Sequence, residues 1–290
     1  MLSWYNSDYL NLIPCHNFLN PNFCSTNNYF CPEYMKKTMP LVSVLLPIQN
    51  AEKTVATAIQ SLLSQTYQRI EIIAIDDNSR DSSYKLVRRL ARQDKRIKLF
   101  RNVKRYGMAI TLNRSIKKAK GDLIAFMNPH DLSSKNRLKK QVEFLLSNPK
   151  VAAVGSQYQI VTKKNRKKAK SSLPTDHENI FKTLLSGISI QFETVMIHKC
   201  LLPKNLLKFT SKEYPFLFTD LFLKIVQYGK IANLSEYLYS KRETALLSTF
   251  SRENTTKTIK MAKLWLKSVA LYDYRPSLRS LFTGIRINPN

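Results

Sequence analysis

Ile70-Glu71-Ile72-Ile73-Ala74-Ile75-Asp76-Asp77-Asn78-Ser79 is an Ile-rich apolar run, interrupted only by Glu71, that ends in an acidic turn. A run with so little polar alternation reads as a strand buried on both faces, the pattern of a parallel sheet. Leu41–Ile48 is a second such run, and between the two Val55, Ile59, Leu62 and Leu63 fall at helical spacing. Downstream, Leu86, Val87, Leu90 and Ala91 mark a helix and Ile97–Phe100 a short strand. A helix after Gly107 carries Ala109, Leu112 and Ile116. Leu123–Met127 is a further strand, and Leu138, Val142, Leu145 and Leu146 repeat helical spacing. Strands alternating with helices predict an α/β fold, a mostly parallel sheet with helices on both faces. Ligands on such sheets bind beyond the carboxyl ends of the strands. Two polar segments lie at such ends: Asp76-Asp77-Asn78-Ser79, and Asn128-Pro129-His130-Asp131, which has a single carboxylate.

After Val151 the pattern is less regular. Val151–Val161 reads as one or two strands, Ile180–Leu185 as helical, Val195–Ile197 as a strand and Leu221–Val226 as a helix closed by Gly229. Residues 1–38 hold eight aromatics and seven Asn, with no Lys or Arg before Lys36, and sustain no period. We read them as an irregular arm, 39–245 as the α/β domain and 246–290 as a basic helical extension. In the extension, Thr256–Leu271 carries Ile259, Leu264, Trp265 and Val269. Such a helix either packs on its own domain or lies on a membrane surface.

The formal net charge is +27 over 290 residues. It fits either an anionic partner or lysines spread over solvated faces. The densest run, Lys163-Lys164-Asn165-Arg166-Lys167-Lys168-Ala169-Lys170, reads as a mobile basic loop near phosphates or lipid headgroups. It has no aromatic residue to stack a base, so no nucleic-acid partner is expected. Cys15, Cys24 and Cys31 do not have C-x-x-C metal spacing, and only Cys200 lies in the predicted domain, which fits a reducing compartment. There is no secretory signal pattern and no window of membrane-spanning length. The expectation is a cytoplasmic protein with peripheral contact at the inner face of the membrane.

The order of these pieces resembles the GT-A type of family 2 glycosyltransferases. The residues that carry the resemblance are Val42 to Asn50, Ser61-Leu62-Leu63-Ser64-Gln65-Thr66-Tyr67, Glu71 to Ser79, Gly107 to Asn113 and Ala119-Lys120-Gly121-Asp122-Leu123-Ile124-Ala125-Phe126. The match runs in order over Leu41–Pro149 and more faintly to Arg242. It implies a Rossmann-like sheet and transfer of a sugar, with inversion, from a nucleotide-sugar (a UDP-sugar first) to a hydroxyl of a glycan or lipid-linked acceptor. The setting it implies is cell-envelope or surface glycan synthesis. Such a reaction needs a nucleoside site, a cation (manganese or magnesium) on the departing diphosphate, and a base.

By this resemblance Pro47 and Asn50 border the nucleoside, Asp76 and Asp77 serve its ring, and Asn128 faces the diphosphate. A purely structural role, capping the turn after the strand, also fits Asp76 and Asp77. The family's Asp-x-Asp-Asp is here Asn128-Pro129-His130-Asp131, which leaves His130 and Asp131 as metal ligands of reduced charge. The base position holds Phe218. Asp220 lies two residues on, roughly 200° around a helix, and fits an N-cap equally well. Phe192-Glu193-Thr194 and Arg242-Glu243-Thr244 depart from the family's usual segments, and Glu193 or Glu243 could replace the base. A relative that binds nucleotide or glycan without turnover, or supports an active partner, fits the same altered residues.

Overall fold

The computed structural model describes residues 39–162, 165–186, 188–211, 216–243, 254–272 and 274. The predicted arm, with Cys15, Cys24 and Cys31, lies outside them. In chain order the elements are β1 (Val42–Ile48), α1 (Val55–Leu63), β2 (Ile70–Asp76), α2 (Ser83–Gln93), β3 (Ile97–Arg101), α3 (Met108–Lys118), β4 (Leu123–Phe126), β5 (Leu132–Ser133), α4 (Arg137–Ser147), β6 (Val151–Val161), β7 (Lys167–Lys170), α5 (His177–Thr183), β8 (Met196–His198), α6 (Leu217–Ile225), β9 (Lys230–Arg242) and α7 (Asn254–Tyr272).

The described strands form one sheet in the order β3-β2-β1-β4-β8-β6-β9-β5, with β7 also on β6. The first four are parallel. From β8 onward the sheet is mixed: β8 runs antiparallel to β4 and β6, while β9 runs parallel to β6. Alternate residues of the central strands feed two cores. Val42, Val44, Leu46 and Ile48 of β1 pack with Val55, Ile59 and Leu62 of α1 and Leu138, Val142 and Leu145 of α4. Leu45, with Ile73 and Ile75 of β2, joins Leu112 of α3 and Leu221, Leu223 and Ile225 of α6 on the other face. Each such side chain contributes about 1.5–3 kcal/mol when buried. Two-sided burial of this kind makes the strands rigid and lets the loops at their carboxyl ends carry polar chemistry.

Two parts differ from expectation. Half of the predicted basic loop is strand: β7 pairs antiparallel with β6, with all four residues exposed. Its backbone bonds to an edge that β8 leaves open, which hydropathy does not encode. β9 runs 13 residues and was not anticipated, since its polar and apolar residues keep no steady alternation. α7 packs on the domain, with Met261, Leu264 and Tyr272 buried, while Ile259, Leu266, Val269 and Leu271 stay exposed. No helix among the described residues is long and apolar enough to cross a membrane.

Candidate active site

The loops after β1 and β2 are laced together. Asn50 N–H donates to Ser79 Oγ (3.0 Å), Arg80 N–H to Asn50 Oδ1 (3.0 Å) and Ala51 N–H to Ser83 Oγ (2.7 Å). Asn50 and Asn78 take left-handed backbone conformations, φ 47° and 55°, which Asn tolerates better than most residues. Between the loops lies a cleft of about 150 Å³ lined by Gln49, Asn50, Asn78, Arg80 and Arg105. Pro47 is half-buried at the end of β1.

Asp76 and Asp77 lie beneath this cleft and are both buried. Asp76 Oδ2 accepts from Ser79 N–H (3.2 Å) and Arg101 Nε (3.1 Å), while Oδ1 is buried with no hydrogen-bond partner among the described residues. Asp77 Oδ1 accepts from Asn102 Nδ2 (2.7 Å) and Tyr106 N–H (2.9 Å), and Oδ2 from Gly107 N–H (2.8 Å). Gly107, at φ 85°, is the residue from which α3 starts, so the carboxylate sits at the positive end of that helix. Burial works to raise the Asp77 pKa, but the hydrogen bonds from Tyr106, Asn102, Gly107 and Thr111 outweigh it and hold it below the ordinary carboxylate value. Asp76 thus holds the turn after β2, as foreseen for the pair, whereas Asp77 holds the loop at 102–107 instead.

The turn after β4 is organised by β9. Tyr239, buried, accepts from Asn128 N–H (3.2 Å) and donates its hydroxyl to Asp131 Oδ2 (3.0 Å). Arg242 N–H donates to Asp131 Oδ1 (2.9 Å), so both oxygens of that carboxylate are engaged by β9. Burial, then the charge of Glu193, pushes its pKa up to about 7 against the pull of these two bonds and Lys241. Asn128 Oδ1 accepts from His130 N–H (2.9 Å). His130 Nδ1 lies 3.0 Å from Thr54 Oγ1, and Thr54 Oγ1 also donates to Ala51 O (3.3 Å); this arrangement places the imidazole proton on Nδ1. Burial, then Arg242, lowers the His130 pKa and keeps the ring neutral. Through Thr54 the β1 loop joins the Asn50 cleft to this turn, so three strand ends form one continuous surface.

Beneath the turn lies Arg137, fully buried, donating to Gln141 Oε1 (3.1 Å) and Phe126 O (3.0 Å), with its guanidinium 5.1 Å from the Tyr239 ring centre. Sequence reading missed both Arg137 and Tyr239. The available signal was that Arg137 and Gln141 are spaced i, i+4 beside the apolar face of α4.

Phe218 stacks on Phe192, ring centres 3.5 Å apart, within an aromatic group that includes Phe126 and Phe209. Glu193 follows Phe192 in a short 3-10 turn, half-buried, accepting from Gln191 Nε2 and 4.0 Å from Lys241 Nζ. Its charge is felt at Asp131, Tyr239 and Arg137. Asp220 lies elsewhere: buried on α6, it pairs with Lys224 (2.5 Å) and with Lys267 of α7 (2.7 Å). The N-cap of α6 is Phe216, so Asp220 does not cap the helix; it ties α7 to α6. Glu243 is exposed and pairs with Lys168 of β7 (2.7 Å). Of the three candidate carboxylates, Glu193 alone stands against both the β4 turn and the Phe218 stack.

A family model described as glycosyl transferase family 2 matches residues 43–201, more than half of the chain. An uncharacterized glycosyltransferase of Haemophilus influenzae is 35% identical over 161 residues, 56% of this chain and 63% of its own length. An Escherichia coli relative, UDP-Glc:alpha-D-GlcNAc-diphosphoundecaprenol beta-1,3-glucosyltransferase WfgD, is 31% identical over 62% of this chain and 69% of its own. In structure the chain is similar to S. aureus TarS 1-349, solved with UDP-GlcNAc, at TM-score 0.67 and 18% identity, over 81% of this chain and 68% of that one. It is also similar to the mannosyltransferase PcManGT of Pyrobaculum calidifontis, solved with GDP-Man and Mn2+, at TM-score 0.54 and 19% identity, over 86% and 68%. Likeness at these identities speaks for a shared GT-A fold.

Proposed function

The chain belongs to glycosyl transferase family 2, and on that premise we propose that it transfers a sugar from a nucleotide-sugar to an acceptor hydroxyl in cell-envelope or surface glycan synthesis. The observation that carries this reading is the joining of three strand ends. The interlocked loops after β1 and β2 frame a cleft bearing Arg80 and Arg105, and Thr54 connects it to the β4 turn. Such a cleft suits a nucleoside and its phosphates. Asn50 borders it directly and Pro47 lies at the end of the strand that leads into it; Asp76 and Asp77 act through the loops that they hold; Asn128 presents its turn to the diphosphate. The UDP-sugar and lipid-linked acceptor follow from the substrates named for the E. coli relative. The exposed Ile259, Leu266 and Val269 on the basic helix α7 support peripheral contact with the membrane where such an acceptor resides.

Glu193 is the base in this reading. It takes the acceptor's proton as the acceptor oxygen attacks the anomeric carbon and the bond to the diphosphate oxygen breaks. A single in-line displacement of this kind inverts the anomeric centre. Phe218 holds the family's base position and cannot accept a proton; stacked on Phe192, it braces the turn that carries Glu193.

Glu193→Gln tests this. Transfer should fall about 10²–10⁴-fold, the usual worth of a general base, while nucleotide affinity stays near wild type. The second reading, a protein that binds without turnover, rests on the same aromatic stack at the base position. Wild-type protein that binds nucleotide-sugar but neither transfers nor hydrolyses it with any lipid-linked or glycan acceptor would favour that reading.

A further inference from the structure

The β4 turn offers little to a divalent cation. Both oxygens of Asp131 are bound to β9, the Asn128 oxygen is bound to the His130 N–H, and His130 keeps a single ring nitrogen to give. No group of three His, Cys, Asp or Glu side chains that could hold a metal gathers among the described residues. Magnesium and manganese need several oxygen ligands, carboxylates foremost. This donor set does not fit them.

The turn has positive charge instead. Arg242 lies across it, with Nη1 donating to Thr57 Oγ1 (3.0 Å) and His130 O (3.3 Å) and Nε donating to Asn165 Oδ1 (3.1 Å). All these acceptors are neutral, and among the described residues the guanidinium has no ion pair. Nη2 carries no hydrogen bond there either. The three bonds hold the planar group in one orientation, which a free surface arginine lacks. Below the turn, Arg137 is a second guanidinium with no ion pair among the described residues, its bonds going to an amide oxygen and a backbone carbonyl and its Nη1 3.9 Å from Met127 Sδ. A buried cation whose hydrogen bonds all go to neutral groups, with only the more distant Glu193 charge acting on it, favours an anion nearby. A fixed guanidinium with free N–H groups matches phosphate oxygens in geometry as well as charge.

Resting on the glycosyltransferase reading, we propose that Arg242, over the buried Arg137, holds the donor's diphosphate and takes up its departing charge in place of a divalent cation. When the bond from the anomeric carbon to the diphosphate oxygen breaks, its electron pair stays on that oxygen, and the added negative charge meets the Arg242 guanidinium. The acceptor's proton goes to Glu193. The basic strand β7 lies close behind: Asn165, bonded to Arg242, precedes it in the chain, and Lys168 of β7 pairs with Glu243.

The test is calorimetric titration of the full chain with UDP and with GDP, in EDTA and in manganese, beside ligand-observed NMR of the free nucleoside. The expected result is diphosphate binding that changes less than about twofold between the two buffers. Arg242→Gln should weaken the diphosphate about tenfold or more, the scale of a lost charged hydrogen bond, and leave the nucleoside unaffected. Arg242→Lys should fall between. The link from Arg242 to Asp131 is through its backbone N–H, so these variants keep it, and unchanged nucleoside affinity reports an intact cleft. Diphosphate binding that appears only with manganese, or that Arg242→Gln leaves intact, overturns the proposal while sparing the glycosyltransferase reading. Failure of both nucleotides to bind in either buffer overturns that reading as well.

Discussion

The two acidic strand ends of this protein use carboxylates in opposite ways. After β2, Asp77 collects a side-chain amide and two backbone N–H groups at the start of α3, and those donors hold its pKa below the ordinary value. After β4, Asp131 turns into the sheet, meets one hydroxyl and one backbone N–H beside Glu193, and is pushed up to about 7. Both side chains are screened from solvent, but Asp131 lies deeper in the protein, so burial raises its pKa more strongly. The supply of donors differs as well, and Asp131 faces the negative charge of Glu193. The first end is built to stay ionised and to shape the loops of a cleft. The second is built as a clasp, leaving the surface of its turn to Arg242.

Removing Asp77 should separate the two ends most sharply. Asp77→Ala strands Asn102, Tyr106 N–H and Gly107 N–H, and each unmet donor costs about 1–3 kcal/mol. We expect nucleotide affinity to fall by about 100-fold or more and the melting temperature to drop by roughly 5–10 °C. Asp77→Asn should retain part of both. Because the folded pKa lies below the unfolded one, the contribution of Asp77 is present above the ordinary carboxylate pKa and is lost as pH falls through the lowered folded value. Calorimetry and thermal melts that match wild type for Asp77→Ala would break the comparison, since the loop would then hold without its anchor.

Tyr239→Phe probes the other end and should cost less. It removes the hydroxyl that accepts from Asn128 N–H and donates to Asp131, with an expected loss of about 1–3 kcal/mol of stability. The transfer rate should fall while nucleoside affinity holds, because the cleft between the β1 and β2 loops does not depend on β9. Equal losses in both quantities would mean that the two ends are one cooperative unit, not a rigid cleft beside a clasped turn.

The sequence made the first end legible and the second only partly so. Ile70–Ser79 is local: its apolar run predicts the strand and its acids predict the turn, and β1 to β4 follow from the same alternation. The second end depends on β9, more than a hundred residues away, whose irregular pattern hid both Tyr239 and the strand itself. Nothing local shows that Asp131 faces inward or that Asp220 is claimed by Lys267 of α7. Glu193 was visible as an unexpected acid. Its standing among the candidates came only from long-range packing, when Phe192 was found stacked on Phe218.

Asp131→Asn carries the smallest expected effect, and its sign is the informative part. A carboxyl with a raised folded pKa favours the folded state below its unfolded pKa and loses that contribution as pH climbs through the folded value. For Asp131 the window runs from the ordinary carboxylate value of 3.8 up to about 7. An amide keeps the oxygen that accepts from Arg242 N–H but cannot ionise. The variant should therefore escape the loss, and its stability relative to wild type should rise between pH 5 and pH 8 by about 1 kcal/mol or more. The amide's N–H groups also displace the acceptor of the Tyr239 hydroxyl, which offsets part of the gain at every pH but not its slope. Chemical denaturation of both proteins at the two pH values measures that slope directly. A flat difference would show Asp131 ionised in the ordinary range, with the β4 turn then carrying a full negative charge beneath Arg242 and the contrast with Asp77 removed.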